Sequence, residues 1–166
     1  LLLSDPRVDA SDNGNATVGW AAYMGHTEVV KVLLESPNVD PTYEDNYPFR
    51  MAASYLRIET VQLLLTDPRI DPSALDNCAL KFSAENGDTE VLNILLSTGK
   101  VDPSAGNNFA IRNSSENGHT ETVRVLLNCS AVDPSADDNY AILLSAANGH
   151  TDVVKLLLSD ALIRPL

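Results

Sequence analysis

Three histidines are the first candidates for chemistry, because an imidazole can transfer protons or bind a metal near neutral pH. They are His26, His119 and His150, and their spacings are multiples of 31 residues. A general acid or base is a single positioned side chain, whereas these three recur at one position of a repeating pattern. We therefore interpret them as a repeated structural element that forms a hydrogen bond where a helix begins.

Carboxylates near the end of the chain could instead suggest a calcium site. Asp133, Asp137 and Asp138 are close together, but the Asp-x-Asp-x-Asp-Gly spacing with a distal glutamate is missing. Cys78 and Cys129 are not spaced as a metal clip, and no nucleophile or phosphate-binding motif occurs. The sequence therefore predicts no catalytic residue, no metal site and no cofactor, and we expect the chain not to be an enzyme.

The elements that position these residues repeat every 31 residues without insertion or deletion. Paired leucines follow this period from Leu33-Leu34 to Leu157-Leu158, and prolines follow Asp40, Asp71, Asp102 and Asp133. A period of about 20 to 50 residues is typical of solenoids, whose units pack on their neighbours. Such a protein offers an extended surface for binding.

Each repeat is predicted to form two antiparallel helices followed by a turn at the Asp-Pro pair. An asparagine opens the first helix as its N-cap, and Gly149 ends that helix in the last repeat by adopting the left-handed conformation. Leu56 replaces this glycine in the second repeat, which predicts a different turn or a strained backbone there. The asparagines are Asn15, Asn46, Asn77, Asn108 and Asn139.

This pattern resembles the ankyrin repeat. The resemblance is carried by residues 25–34, 117–121 and 148–158, where Asn-Gly-His or Gly-His precedes an apolar second helix. The period is shorter than the usual value of about 33, and the Thr-Pro-Leu-His signature of the first helix is missing. The resemblance implies an all-α solenoid of stacked antiparallel helix pairs with short turn-rich loops. We expect one array over residues 1–166, with a helix remnant at 1–3 and units at about 14–44, 45–75, 76–106, 107–137 and 138–166.

Charge narrows the choice of partner. The net charge is −12, and most of the excess acid lies in the loops, so nucleic acid and anionic membranes are not expected to bind. No apolar run approaches the length of about 18 residues that spans a bilayer. We expect an intracellular protein, in the cytoplasm, that is a monomer or part of a longer repeat array.

Aromatic residues and methionines concentrate in the first two repeats, and such residues are enriched at interface cores. We expect Trp20, Phe49 and Met51 to pack between helices. The resemblance places partner-facing residues at the ends of the first helices and in the loops. The predicted binding residues are Tyr23, Met24, Tyr43, Glu44, Ser54, Tyr55, Glu85, Glu116, Asp137 and Asp138.

The function predicted from these observations is non-catalytic binding of a protein partner through the concave face of loops and first helices, and the acidic loops would suit a basic partner. Two alternatives stay open. The chain could be the substrate-recruiting module of a larger enzyme or ligase adaptor whose working domain lies elsewhere. It could also be a structural spacer, which would have no partner and would tolerate substitution equally in all repeats.

Overall fold

The computed structural model describes the backbone of residues 15–163 and the side chains of residues 15–159, so the predicted helix remnant at 1–3 lies outside the described residues. The described residues form ten helices. They are α1 (Ala16–Met24), α2 (Thr27–Leu34), α3 (Tyr43–Ser54), α4 (Ile58–Leu65), α5 (Ala74–Asn86), α6 (Thr89–Ser97), α7 (Ala105–Glu116), α8 (Thr120–Leu127), α9 (Ala136–Ala147) and α10 (Thr151–Ile163).

The helices recur with the period of the sequence. The even-numbered helices begin at residues 27, 58, 89, 120 and 151, which are 31 residues apart. Residues 15–163 contain no strand, and the Asp102-Pro103 pair lies between α6 and α7. The predicted all-α repeat architecture is therefore confirmed.

The chain divides into two compact units, residues 1–75 and residues 76–166. In the first unit, α1 packs on α3 and α2 packs on α4, so that like helices of successive repeats lie side by side. Their contacts bury Val18, Phe49, Val61 and Leu64 almost completely. Burying an apolar side chain of this size stabilises the fold by about 1.5–3 kcal/mol.

The second unit repeats this arrangement. Helix α7 packs on α9, and α8 packs on both α6 and α10. Leu92, Leu95, Ile111 and Leu126 are fully buried. The predicted bounds of the individual repeats stay a prediction, and so does their arrangement as one continuous array.

A left-handed turn of three residues opens the first helix of four repeats. The residues of one such turn, Glu44, Asp45 and Asn46, have φ values of 47°, 55° and 61°. The others are residues 75–77, 106–108 and 137–139. Each L-residue in this region costs about 1–2 kcal/mol, although asparagine and aspartate tolerate it better than most. The turns must therefore be stabilised by other contacts.

The repeated asparagine supplies one of those contacts. Asn15 stands at the N-cap position of α1, as predicted, but its side chain makes no capping hydrogen bond there, so the predicted capping role is wrong. Asn46 lies in the left-handed region, and its Oδ1 atom accepts the backbone N–H of Asp71, 25 residues away, at 3.0 Å. Asn108 accepts the N–H of Asp133 in the same way at 2.7 Å. The side chain thus joins one loop to the next instead of closing its own helix. The same bond is made by Asn15 to Asp40 and by Asn77 to Asp102.

The four aspartates that precede proline at 31-residue spacing, Asp40, Asp71, Asp102 and Asp133, brace the same loops. One carboxylate oxygen of Asp133 accepts both the backbone N–H and the hydroxyl of Ser135, at 2.9 and 2.7 Å. Asp102 binds Ser104 identically. The hydroxyl and then the backbone N–H hold the pKa of each carboxyl below its ordinary value of 3.8.

The lowered pKa values of these aspartates predict that acid destabilises the folded protein. Because the folded pKa lies below 3.8, their contribution to stability is present above that pH and is lost as pH falls through the folded pKa. We expect the urea midpoint to fall between pH 4 and pH 2.5. The double variant Ser104→Ala with Ser135→Ala should show a smaller drop over this window. An unchanged drop would contradict the assignment.

His119 and His150 have structural roles, but their side-chain hydrogen bonds do not close the helices that they precede. The Nε2 atom of His119 lies 2.9 Å from the carbonyl oxygen of Glu85, at the end of the preceding repeat's first helix. Asn117 donates its side-chain N–H to the same carbonyl at 2.9 Å. His150 and Asn148 bind the carbonyl of Glu116 identically. The Asn-Gly-His element therefore joins successive first helices.

Leu56 has the strain that the sequence predicted. Its φ is 55°, and the bonds from Leu56 N to Ala53 O and from Arg57 N to Ala52 O match those around Gly87. The turn therefore keeps the glycine geometry with a β-carbon present.

Leu56→Gly should stabilise the protein. Leu56 is half exposed, so little packing is lost. Removing the left-handed strain of about 1–2 kcal/mol outweighs the backbone entropy cost of glycine, about 0.5–1 kcal/mol. We expect urea unfolding to show a gain of about 0.5–1 kcal/mol. Leu56→Ala, which keeps the β-carbon, is the control and should give no such gain.

Candidate interaction surface

A cluster of exposed and half-buried rings lies in the first unit, on the second half of α1 and at the end of α3. We call Trp20, Tyr23, Met24 and Tyr55 the aromatic cluster. The rings of Trp20 and Tyr23 meet edge to face with centroids 5.9 Å apart, and those of Tyr23 and Tyr55 do so at 4.5 Å. Trp20 is 63% exposed, Met24 52% and Tyr55 48%. Exposed contiguous apolar surface of this kind marks interaction sites in folded proteins.

The helical repeat explains why these side chains meet. Trp20 and Tyr23 are three residues apart on α1, which places them on one face of the helix. Helix α3 packs beside α1, and Tyr55 lies at its C-terminal end. Ser54, the last residue of α3, is half-buried beside Tyr55 in the chain. Tyr23, Met24, Ser54 and Tyr55 are therefore at helix ends, as predicted.

The expected packing of Trp20 is wrong, whereas that of Phe49 is confirmed. Phe49 has no exposed surface and Met51 is half-buried. Trp20 is the most exposed large apolar residue among those described. Phe82 stands at the same position two repeats later and is also exposed, at 45%. The repeat phase, rather than the size of the side chain, was the signal that could have predicted this.

A second pair of rings lies closer to the first left-handed turn. Tyr43 and Tyr47 are in contact, with centroids 5.7 Å apart. They cover Gly19, where any β-carbon would collide with the Tyr43 hydroxyl. Burial raises the pKa of Tyr43 to about 12, with smaller effects from Tyr47 and Glu44. Tyr43 is therefore a neutral hydrogen-bonding group at physiological pH, next to two exposed acids, Glu44 and Asp45.

The remaining predicted residues lie in the second unit and have structural partners there. A carboxylate oxygen of Glu116 accepts the Tyr140 hydroxyl at 3.1 Å, and this bond raises the pKa of Tyr140. Asp137 forms an ion pair with Arg112 at 2.6 Å. Glu85 uses its backbone carbonyl to hold Asn117 and His119. Asp138 is exposed on a left-handed turn.

The described residues meet neither the requirements of a metal site nor those of a membrane-spanning helix. Within the part of the chain that the structure describes, no three His, Cys, Asp or Glu side chains are placed to hold a metal ion. None of the described helices is long and apolar enough to cross a membrane.

Paired helices at a fixed interval, joined by braced loops, define a helical repeat protein with an exposed aromatic surface. The model of the family described as ankyrin repeats (3 copies) matches residues 1–76 and 80–164. The chain belongs to the ankyrin repeat family, whose members are generally protein–protein interaction modules. A comparison with curated proteins gave no match.

Proposed function

We propose that this chain is a non-catalytic scaffold that binds a basic protein partner. The aromatic cluster is the observation that carries the proposal. Its exposed side chains leave apolar surface in contact with water. A partner that covers the cluster would bury this surface, and burial lowers the free energy by about 25 cal/mol per Å². Tyrosine and tryptophan are also the residues that most often dominate binding energy at interfaces.

The charge of the surface supports a basic partner. Glu44 and Asp45 are exposed on the turn that begins α3, next to Tyr43. The whole chain carries a net charge of −12. Such a field accelerates the approach of a cationic partner, and salt weakens this effect. A cationic side chain can also stack on an exposed aromatic ring.

The double variant Tyr23→Ala with Tyr55→Ala tests the proposal. Proteins captured by the wild-type chain are quantified by mass spectrometry, and the affinity of each recovered partner is then measured with purified components. We expect affinity to fall at least about tenfold, because interface hot spots contribute about 2 kcal/mol or more each. Tyr55 is half exposed, but Tyr23 is half-buried between the rings of Trp20 and Tyr55, so circular dichroism must show that the double variant stays folded.

Phe82→Ala is the matched control, because Phe82 is an exposed ring in the second unit. It should leave affinity unchanged. A partner that binds the double variant as tightly as the wild type would exclude the aromatic cluster as its site. If raising sodium chloride to about 0.5 M leaves the association rate unchanged, the partner is not selected by charge.

A further inference from the structure

Arginine side chains bind the backbone carbonyls of two left-handed turns in this protein. The Nε atom of Arg50 donates to the carbonyl of Asp45 at 2.9 Å, and its Nη2 atom donates to that of Glu44 at 2.9 Å. Arg112 binds the turn at 106–108 in the same way, with Nε 2.9 Å from the Asn107 oxygen and Nη2 3.4 Å from the Gly106 oxygen. Each turn is therefore a carbonyl cradle, formed by the first two carbonyls of the turn.

The cradle suits arginine better than lysine. Lys81 stands at the position of Arg50 and Arg112, yet its ammonium group pairs with the carboxylate of Asp76. A guanidinium group is planar and presents parallel N–H donors, whereas an ammonium is a compact point charge on a flexible stem. Two neighbouring carbonyls are therefore matched by one guanidinium group.

The last turn has the cradle without the arginine. Asp137 and Asp138 have φ, ψ values of 59°, 50° and 56°, 44°, close to 64°, 40° and 57°, 53° for Gly106 and Asn107. Leu143 replaces the arginine and is 60% exposed. Among the described side chains, none donates a hydrogen bond to the carbonyls of Asp137 or Asp138.

Charge at this turn also favours a cation. The carboxylate of Asp137 is already paired with Arg112 at 2.6 Å. The carboxylate of Asp138 is exposed and forms no ion pair with any described side chain. The acids supply attraction, but the choice of ligand rests on a separate observation, the two guanidinium groups bound at the sister turns.

We propose that the turn at 137–139 binds an arginine side chain of a protein partner. The guanidinium group donates to the carbonyls of Asp138 and Asp137, as Arg50 does at its own turn, and its aliphatic stem packs on Leu143. The site lies in the second unit and uses no residue of the aromatic cluster. It goes beyond the proposed function by assigning a residue type to the partner.

Amide NMR titration with N-acetyl-arginine amide tests the site directly, because it does not need the partner. We expect saturable shifts at the amides of Asp138, Asn139 and Tyr140. The turns at 44–46 and 106–108, whose cradles are filled, should not shift. N-acetyl-lysine amide carries the same charge and should bind at least about tenfold more weakly. Equal responses to both compounds would reduce the site to non-specific attraction and overturn the proposal.

Leu143→Arg is the decisive variant, since it provides the last turn with the arginine of its sister turns. It should abolish the response to N-acetyl-arginine amide, whereas Leu143→Met, which is unbranched and has no N–H donor for the cradle, should keep it. Shifts that persist in Leu143→Arg, or no shifts in the wild type, would refute the site. The Tyr23→Ala, Tyr55→Ala variant should respond like the wild type, so failure here and failure of the proposed function are distinguishable.

Discussion

Gly118→Ala is expected to lower the free energy of unfolding by about 2–3 kcal/mol, a large effect for one methyl group. Gly118 has φ of 78°, and a β-carbon there would lie 2.5 Å from the Nδ1 atom of His150. The substitution therefore adds left-handed strain of about 1–2 kcal/mol. It also displaces the imidazole from the carbonyl of Glu116, a hydrogen bond of about 1 kcal/mol. Chemical denaturation monitored by circular dichroism measures the loss.

Two variants separate strain from collision. Gly149 has the same φ of 78°, but none of the described atoms lies within 4 Å of its β-carbon position, so Gly149→Ala should cost only about 1–2 kcal/mol. Combining Gly118→Ala with His150→Ala removes the obstructing ring, and the pair should cost less than the sum of the single changes. Strict additivity, or equal losses for the two alanine variants, would show that the collision is not felt.

Asn108→Ala should cost about 2–3 kcal/mol. The change leaves the N–H of Asp133 without the oxygen that accepts it at 2.7 Å, which costs about 1–3 kcal/mol when the group is shielded from water. It also places alanine at φ of 58°, where asparagine is better tolerated. Urea unfolding gives the free energy, and hydrogen exchange at the Asp133 amide reports the bond itself.

The two roles of Asn108 respond to different substitutions. Asn108→Gly removes the acceptor but relieves the backbone, so it should cost less than alanine. Asn108→Asp keeps an acceptor oxygen and should cost least. If glycine restores full stability, the bond to Asp133 contributes nothing and only the backbone conformation matters.

The repeating helices could be predicted from the sequence because apolar periodicity and the Asn-Gly-His element are local signals. Buried apolar residues stand 31 positions apart in four of the second helices, namely Val30, Val61, Leu92 and Val123. Leu56 departs from the repeat pattern, and its conformation could still be predicted, since the left-handed helix end normally requires glycine. Its positive φ was therefore foreseeable from one substituted position.

The left-handed turns could not be predicted in the same way. Asparagine and aspartate are favoured both at N-caps and in the left-handed region, so their presence in a loop does not distinguish the two. Three such residues in succession are also rarer than single ones. The partner of Asn46 is 25 residues away, and no local pattern identifies it.

The candidate surface was predicted in part. The placement of Tyr23, Met24, Ser54 and Tyr55 at helix ends followed from the repeat, but the exposure of Trp20 was missed because the size of its side chain was given more weight than its position in the repeat. The carbonyl cradle escaped prediction because it is formed by backbone carbonyl oxygens in a left-handed conformation that the sequence does not reveal. Whether the predicted residues bind a partner stays a prediction.

The link between each asparagine and the next Asp-Pro loop has a consequence for how this chain can evolve. One residue inserted between Asn108 and Asp133 would displace the bonded N–H by up to about 3.8 Å, farther than the reach of a hydrogen bond. Small insertions and deletions within that segment are therefore expected to be selected against, because they shift a register that substitutions preserve. The gene should change length by gaining or losing blocks that encode whole repeats.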